Sequence, residues 1–355
     1  MTINFNAGPA ALPREVLEEA SKSIIEFEDS GVSILGLPHR SKAFEAILNE
    51  AKVLTLTLLG LDESYDVIWF QGGGRLQFEM IPMNFLDSDE TAAYIDSGHW
   101  AADAASNVAR YGKLHIAGSS KEVNYRSIPR VLDIPRDAKY LHLTSNNTIY
   151  GTQFIDFPAT DVPLIADFSS ELFSRSLDYT KFTLIYAVAQ KNIGPAGATM
   201  VVVKKEWLNK QVRTLASILS YREMAAKNSL INTAPVFSIY VSLLNLRYLA
   251  SKGMPQIELE NEEKAQLLYE FIDKSDFYRG VVEKGSRSKM NVCFTLTDDS
   301  QRDSLVIFAE ERGIVGIAGH RSVGGIRVSL YNAISIQDVS KLIEVLEDFS
   351  NLKNI

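Results

Sequence analysis

A lysine and an aspartate, each at the end of an apolar run, are the residues of this chain best suited to chemistry. Lys191 follows the run Leu184–Ala189 and stands just ahead of a Gly/Pro turn, whereas Asp167 ends the run Val162–Asp167. Burial disfavours a charged ammonium, so a lysine at such a position can act as a nucleophilic amine that forms a Schiff base. Each residue also has a simpler interpretation, as a lysine that reaches solvent or an aspartate that caps a helix.

Both runs are typical of buried strands, whose carboxyl ends meet at the edge of an open α/β sheet where ligands bind. Lys191 and Asp167 are therefore expected to converge. A pyridine ring between them would have its nitrogen protonated by the carboxylate and its aldehyde captured by the amine. The pair predicts pyridoxal 5'-phosphate (PLP) as the cofactor, and no metal site is predicted.

A run of three glycines follows the predicted strand Val67–Phe70 and opens a predicted helix. Glycines let the backbone approach an anion, and the free N–H groups of a helix N-terminus favour a phosphate there. The segment Gly72–Arg75 has neither G-x-G-x-x-G nor P-loop spacing, which argues against an NAD-dependent oxidoreductase and leaves a tight turn as an alternative. Trp100, after the predicted strand Ala92–Ile95, could lie flat on an aromatic cofactor or belong to the core.

Composition agrees with a soluble enzyme and leaves room for two domains. The chain has 355 residues, 46% of them hydrophobic, which is enough for a sizeable core. Its one cysteine, Cys293, allows no internal disulfide and suits a reducing compartment, and no stretch resembles a signal peptide or a membrane span. A cytoplasmic location is therefore expected. The net charge of −8 argues against a nucleic-acid partner.

Basic residues are informative against this acidic background. Two of the five histidines are each followed by arginine, in the loops His39–Arg40 and His320–Arg321. Arg75 closes the glycine run, and Arg327 opens a late strand. A single surface arginine is usually a solvated partner of acidic side chains. Together these cations indicate a site for a small polyanion, because arginine binds carboxylate and phosphate through a planar fork.

Short buried strands alternate with helical periods over most of the chain, which predicts an α/β fold with a mostly parallel sheet. The predicted strands are Val67–Phe70, Ala92–Ile95, Tyr140–Leu143, Leu164–Ala166, Leu184–Ala189 and Thr199–Val203. A turn near residues 251–255 is the best boundary. We expect a large domain at 16–255 and a small α+β domain from 1–15 and 256–355. The small domain would contain the helices Glu258–Lys274 and Ile336–Phe349 and the strands Met290–Leu296 and Ile326–Leu330.

The motifs resemble the phosphoserine aminotransferase family, in the class V branch of fold-type I PLP-dependent enzymes. The match runs over nearly the whole length, from Asn4–Pro13 to Gly319–Asn332, and includes the blocks Gly72–Arg75, Ala166–Ser170 and Ala189–Gly197. This resemblance implies a seven-stranded sheet and a homodimer with shared active sites. It also implies ping-pong transamination between L-glutamate and 3-phosphohydroxypyruvate, giving O-phospho-L-serine and 2-oxoglutarate in serine biosynthesis. A related phosphorylated keto acid of pyridoxine biosynthesis is a further substrate that the resemblance allows.

The resemblance assigns roles around the cofactor. Lys191 would carry the cofactor and move the substrate proton, and Asp167 would keep the pyridinium protonated. Trp100 would stack on the ring, and Thr148 would bind the ring oxygen. The residues that would bind the cofactor phosphate are Gly74, Arg75 and Gln190, with Asn232 and Thr233 from the partner subunit.

The resemblance also assigns the substrate contacts. Arg327 would bind the α-carboxylate that both substrates share. The residues that would meet the distal carboxylate or phosphate are His39, Arg40, Arg75, His320 and Arg321. Ala7 stands where family members often carry a serine, so one minor substrate contact is in doubt.

Three alternative functions within this enzyme class fit the residues less well. A cysteine desulfurase needs a mobile catalytic cysteine, but Cys293 lies inside an apolar run and resembles a core residue. An aminotransferase acting on alanine or serine with glyoxylate would not need two His-Arg pairs. A non-catalytic member would be expected to lack Lys191 or Asp167, and this chain has both.

Overall fold

The computed structural model describes residues 2–353, in which helices and strands alternate along the chain. The strands are β1 (Ile3–Asn4), β2 (Tyr65–Gln71), β3 (Thr91–Asp96), β4 (Lys113–Ser119), β5 (Leu141–Thr144), β6 (Asn146–Asn147), β7 (Thr152–Gln153), β8 (Leu164–Asp167), β9 (Phe182–Val188), β10 (Ala198–Lys204), β11 (Tyr278–Gly280), β12 (Asn291–Leu296), β13 (Ile314–Val315) and β14 (Ile326–Ser329). The α-helices are α1 (Arg14–Ile25), α2 (Lys42–Leu59), α3 (Gly74–Phe85), α4 (His99–Ser106), α5 (Lys205–Leu208), α6 (Tyr221–Ala226), α7 (Val236–Lys252), α8 (Met254–Lys274), α9 (Arg302–Glu310) and α10 (Ile336–Lys353).

The central sheet has seven strands in the order β2-β10-β9-β8-β5-β3-β4. Strand β10 runs antiparallel to both of its neighbours, and the other neighbouring pairs are parallel. The predicted α/β fold with a mostly parallel seven-stranded sheet is therefore confirmed. Sequence reasoning missed the edge strand β4, whose residues are mostly exposed or half-buried.

Hydrophobic cores cover both faces of this sheet. Neighbouring side chains along a strand point to opposite sides, so one strand contributes to both cores. In β2, Val67 and Trp69 pack into one hydrophobic core, and Ile68 and Phe70 pack into the other. Strands β5, β8 and β9 are buried along their whole length, as expected for parallel strands between two helical layers. The carboxyl ends of β8 and β9 are thus held rigidly at one edge of the sheet.

The C-terminal part of the chain forms a second unit around a three-stranded antiparallel sheet, β11-β12-β14. Strand β1 pairs in parallel with β13, with Ile3 opposite Ile314, and Phe5 joins this second core. The domain division at 16–255 and 256–355 remains a prediction. Helix α7 ends at Lys252 and α8 begins at Met254, close to the expected boundary.

Two helix ends differ from the sequence prediction. Helix α8 begins at Met254 rather than Glu258, because a proline is tolerated in the first turn, where its missing N–H is not needed. Helix α10 continues past Phe349 to Lys353. In the described part of the chain, no helix is both long enough and apolar enough to cross a membrane.

A buried lysine joins α8 to the segment that follows β14. Lys264 is only 1% exposed, and its ammonium group donates hydrogen bonds to three backbone carbonyls. The acceptors are Leu330 O at 3.1 Å, Tyr331 O at 3.1 Å and Ile334 O at 2.9 Å. The lysine therefore stabilises the chain just after Arg327.

Candidate active site

A cavity of about 380 Å³ lies where β8 and β9 end and α3 begins. Its lining residues are Gly73, Gly74, Arg75, Phe78, Trp100, Asp167, Ser169, Val188, Gln190 and Lys191. The structure therefore brings the predicted lysine, aspartate, glycine loop and tryptophan together. Phe78, Ser169 and Val188 were not predicted. Ser169 lies two residues after Asp167, so its position in the sequence was the available signal.

Lys191 lies in the turn that follows β9 and reaches the loop after β5. Its Nζ donates a hydrogen bond of 2.8 Å to Thr148 Oγ1. Burial lowers the pKa of Lys191 to about 8, the charge of Arg327 acts in the same direction, and Asp167 opposes both. A lysine with this pKa is a much stronger nucleophile near neutral pH than an exposed lysine.

Asp167 is the last residue of β8 and is 6% exposed. Its Oδ1 accepts a hydrogen bond of 2.8 Å from the backbone N–H of Ser169. Burial raises the pKa of Asp167, while the positive charge of Lys191 opposes the shift. Residues 169–173 form turns rather than a helix, so Asp167 is not a helix cap; its carboxylate accepts a bond from the turn after it and lines the cavity.

The glycine run forms the entrance to α3, whose first residue is Gly74. A Cβ on Gly74 would lie 3.4 Å from Val188 Cγ1, so the helix start packs closely on the end of β9. No side chain caps this helix, which leaves its first N–H groups available to an anion. Arg75 is paired with Asp103, with its Nε 2.9 Å from Asp103 Oδ2, and its guanidinium lies 5.4 Å from the Trp100 ring centroid.

The N-terminal segment packs against the lysine turn. Ala10 N donates a hydrogen bond of 2.9 Å to Gln190 O, and a Cβ on Gly8 would lie 3.6 Å from Lys191 Cγ. The carbonyl of Ala7 accepts a hydrogen bond of 3.0 Å from Tyr331 Oη. Ala7 therefore contributes its backbone to the site, and its side chain offers no hydrogen bond.

A second group of cations approaches from β14 and the loop before it. Arg327 Nη1 donates a bond of 3.4 Å to Thr148 O, and Arg327 Nε is buried without a partner among the described residues. His320 Nδ1 lies 2.7 Å from Ser322 Oγ. Burial lowers the pKa of His320, and the nearby Arg327, His99 and Arg321 lower it further. The unpartnered guanidinium nitrogen is suited to bind a carboxylate.

Eight of the predicted residues are not among those that line this cavity in the single chain: Thr148, His320, Arg321 and Arg327, described above, and His39, Arg40, Asn232 and Thr233. His39 and Thr233 line a separate groove of about 340 Å³. Arg40 is exposed. Asn232 Nδ2 donates a hydrogen bond of 3.1 Å to Gln71 Oε1, and Gln71 Nε2 donates to the Thr233 carbonyl, so this pair contacts the start of the glycine run of its own chain.

Cys293 does not have the features of a catalytic thiol. Its Sγ donates a weak bond of 3.6 Å to Ile149 O, and burial raises the pKa of the thiol to about 12. A nucleophilic cysteine requires a thiolate, so a desulfurase activity is disfavoured. No group of three or more His, Cys, Asp or Glu side chains in residues 2–353 could hold a metal ion.

The cavity has the donor set that PLP requires. A low-pKa amine, a buried carboxylate, an aromatic side chain and an uncapped helix N-terminus all border it. These groups match the aldehyde, ring nitrogen, ring face and phosphate of that cofactor. The residues present therefore fit PLP.

The family model of aminotransferase class-V matches residues 2–342, and the chain belongs to this family of enzymes. Among curated relatives, phosphoserine aminotransferase from Bacillus subtilis (strain 168) is 47% identical, over 98% of each chain. The protein of the same name from Flavobacterium johnsoniae is also 47% identical, over 97% of each chain. The sequence predicted an aminotransferase that resembles the phosphoserine aminotransferases, and both predictions are confirmed.

Solved structures agree with this assignment. Phosphoserine aminotransferase from Bacillus circulans subsp. alkalophilus has a TM-score of 0.97 and 42% identity, with 99% of each chain covered. The PLP-bound enzyme from Trichomonas vaginalis has a TM-score of 0.93 and 31% identity, covering 98% of this chain and all of that one. The Schiff base of a phosphoserine aminotransferase appears in a third structure, 43% identical with a TM-score of 0.96. The fold-type I prediction is confirmed, and these relatives support PLP as the cofactor.

Proposed function

We propose that this protein is a PLP-dependent phosphoserine aminotransferase. It would transfer the amino group of L-glutamate to 3-phosphohydroxypyruvate, giving 2-oxoglutarate and O-phospho-L-serine in serine biosynthesis. The observation that carries this proposal is the group of cations, Arg327, His320 and Arg321, beside a cavity that contains Lys191 and Asp167. A substrate with anions at both ends suits such a site.

The chain's own residues would hold the cofactor and move one proton. PLP, when bound, supplies a ring that accepts the electrons left when the substrate Cα loses its proton. Asp167 would keep the ring nitrogen protonated, and Trp100 would cover the ring. Lys191 Nζ would hold the cofactor covalently and later take the proton from the substrate Cα. Thr148, which already accepts a bond from Lys191 Nζ, would orient both this amine and the ring oxygen.

The cofactor phosphate would lie at the start of α3. Gly74 allows the backbone to approach, and Gln190 lines the same cavity. Arg75 is 70% exposed, so its side chain is free to exchange Asp103 for an anion.

The substrate would be held at both ends. The unpartnered Arg327 Nε makes this arginine the best hydrogen-bond donor for the α-carboxylate. The distal carboxylate or phosphate would meet the remaining cations, His39, Arg40, Arg75, His320 and Arg321. One pocket must accept both anions in turn, which suits several adaptable donors and gives ping-pong kinetics.

The position of two predicted residues supports a homodimer with shared sites. His39 and Thr233 line one groove that is separate from the cavity of their own chain. Exposed Leu35 lies on the same groove, which supports contact with a second copy. In such a dimer, Asn232 and Thr233 would reach the partner's cofactor phosphate. A cytoplasmic location, and a second use of the enzyme in pyridoxine biosynthesis, belong to the same proposal.

Absorbance spectroscopy tests the cofactor and the substrate together. The purified protein is loaded with PLP and titrated with O-phospho-L-serine, and separately with L-alanine. Conversion of the cofactor absorbance at a far lower concentration of phosphoserine than of alanine is expected, because only phosphoserine has a second anionic end. Equal response to both amino acids would show that the distal cations do not select a phosphate.

A further inference from the structure

His99 is a histidine that the proposed function leaves unused. It is the first residue of α4, it is exposed, and its ring packs edge-on to Trp100 with centroids 4.8 Å apart. Neither ring nitrogen of His99 has a hydrogen-bond partner among the described residues. Because Trp100 lines the cavity, His99 stands at the rim of the candidate active site.

His99 follows Gly98, whose backbone lies against the side chain of Asn147. A Cβ on Gly98 would lie 2.6 Å from Asn147 Oδ1, so the start of α4 packs directly on the segment that carries Thr148. The carbonyl of Thr148 in turn accepts the bond from Arg327. The start of α4 and Arg327 on β14 therefore both contact the segment Asn147–Thr148.

A second imidazole faces His99 across the rim. The ring centroids of His99 and His320 are 6.3 Å apart, with 36° between the ring planes. His320 Nδ1 is engaged by Ser322, which leaves its Nε2 free. A phosphate can accept hydrogen bonds of about 2.8 Å on different oxygens, so one tetrahedral anion can bridge two imidazoles whose ring centroids lie this far apart.

We propose that His99 and His320 form a two-imidazole subsite for the distal phosphate of the substrate. The proposal rests on the proposed function, since it assigns this phosphate a position in the same site. A phosphate offers more acceptor oxygens and more charge than the glutamate carboxylate, so the pair favours the phosphorylated substrate. His99 acts here as a specificity-determining residue and takes no part in the proton transfer at Lys191.

The charges around the pair predict that anion binding is coupled to proton uptake. Burial disfavours protonation of His320, as do the nearby Arg327, His99 and Arg321, and the carboxylate of Asp103 on α4 is engaged by Arg75. A bound dianion reverses this balance and favours the imidazolium. Affinity for a dianion should therefore rise as pH falls from about 8 to about 6.

Sulfate is a suitable probe, because it keeps its charge over this pH range while phosphate does not. The PLP-loaded protein, labelled with ¹³C at histidine Cε1, is titrated with sulfate and followed by NMR. Five histidines give five signals. The signals of His99 and His320 are expected to shift with one common dissociation constant. The signal of His142 serves as a reference, because burial lowers the pKa of this residue to about 3.

The variant His99→Asn keeps a side chain of similar size and removes the imidazole. Its sulfate affinity, and its affinity for O-phospho-L-serine, should fall about tenfold, the effect of losing one charge-assisted hydrogen bond. Its affinity for L-glutamate should change less than twofold. His115→Asn is the matched control, since His115 lies on β4 and contacts Asp133 rather than the cavity.

The subsite is refuted if His99→Asn binds both sulfate and phosphoserine within twofold of wild type. It is also refuted if sulfate moves neither the His99 nor the His320 signal. A wild-type protein that never reacts with phosphoserine would overturn the proposed function instead, and the sulfate titration would still decide whether the two imidazoles bind a dianion.

Discussion

The Nζ of Lys191 lies 2.8 Å from the Oγ1 of Thr148, so the candidate nucleophile is held against a strand end far away in sequence. Thr148 belongs to the segment after β5, whereas Lys191 follows β9. Burial around this contact, with help from Arg327, lowers the pKa of the lysine to about 8. The amine is thus fixed in direction and partly neutral near physiological pH.

The first prediction concerns this lysine. Covalent capture of PLP by the cofactor-free protein should accelerate as pH rises from about 7 and level off above about 8, because only the neutral amine reacts. An ordinary lysine would continue to gain reactivity up to about pH 10. Stopped-flow absorbance measures the rate. Lys191→Ala should fold, show no covalent capture and fail to complete transamination; normal turnover in that variant would remove Lys191 from the mechanism.

The second prediction separates the charge of Asp167 from its hydrogen bond. Asp167→Asn retains an oxygen for the Ser169 N–H but cannot keep a pyridinium protonated. Transamination should fall on the order of 100-fold or more, with PLP still bound. Single-turnover absorbance with phosphoserine checks the rate, and a value within a few-fold of wild type would contradict the role.

Without PLP, the Asp167→Asn substitution should raise the thermal stability of the protein. The raised pKa of Asp167 means that the unfolded chain ionises first as pH rises above about 4, so the cofactor-free fold loses stability up to the folded-state pKa. Replacement by asparagine removes this cost at neutral pH. Cofactor-free Asp167→Asn should therefore unfold at a higher temperature than wild type at pH 7, and lower thermal stability would show that the buried carboxylate is compensated in a way the structure does not reveal.

The third prediction concerns the distal arginines. Arg321→Leu and Arg40→Leu should each lower kcat/KM more for phosphorylated substrates than for substrates without the phosphate. Each change removes a charge-assisted hydrogen bond worth roughly 1.5–3 kcal/mol. Arg222→Leu is a suitable control, because Arg222 is half exposed and only loosely paired with Glu223 at 3.9 Å. Equal losses with both kinds of substrate would point to a structural role.

The fourth prediction tests the shared site. A Lys191→Ala subunit and a subunit disabled at Asn232 and Thr233 should each be inactive as homodimers but complement each other when mixed. Random exchange of equal amounts gives about half mixed dimers, each with one intact site, so activity should recover to roughly a quarter of wild type. Differently tagged subunits verify the exchange. Tagged heterodimers that form and remain inactive would exclude the shared-site arrangement.

The fifth prediction concerns the buried Lys264. Lys264→Met removes the lysine donor from three backbone carbonyls, of which Tyr331 O keeps the N–H of Ile334, and should lower the free energy of unfolding by about 2–4 kcal/mol. Lys274→Met, at the exposed end of the same helix, should change it by less than about 0.5 kcal/mol. Urea unfolding measures both. Equal stability of the two variants would mean that water replaces the lysine at the carbonyls.

Stability against pH offers a second measurement on Lys264. Burial lowers the pKa of Lys264 to about 7, so between about pH 7 and 10 the unfolded chain binds more protons than the folded one. The wild-type protein should become more stable as pH rises through this window. The gain should be smaller in Lys264→Met, in which one of the shifted lysines is missing.

The sequence was sufficient to predict the residues that lie on strand ends. Lys191 and Asp167 follow long apolar runs, and such runs specify both a buried strand and the point where it stops. The glycine run was also predicted to open a helix, and α3 does begin within this run, at Gly74. Strand β4 was missed because an edge strand is solvated on one side and loses its apolar signature.

Contacts between distant loops could not be predicted in the same way. The facing rings of His99 and His320 depend on how β14 and α4 pack, and no spacing in the sequence encodes that distance. The pairing of Arg75 with Asp103 likewise depends on how α3 packs against α4. His39 was assigned to the substrate site from the resemblance, and its groove in the single chain is separate from the cavity.

The pairing of β1 with β13 has a consequence for how the protein is made. Ile3 leaves the ribosome among the first residues, but its partner Ile314 is synthesised only near the end of translation. At about 5–20 residues per second, the N-terminal strand waits about 15 to 60 s before it can pair. Because the segment that follows β1 contacts Gln190 and Lys191, the lysine turn also waits for this late event. A nascent chain stalled before residue 314 would therefore carry a folded central sheet with an unfinished active site.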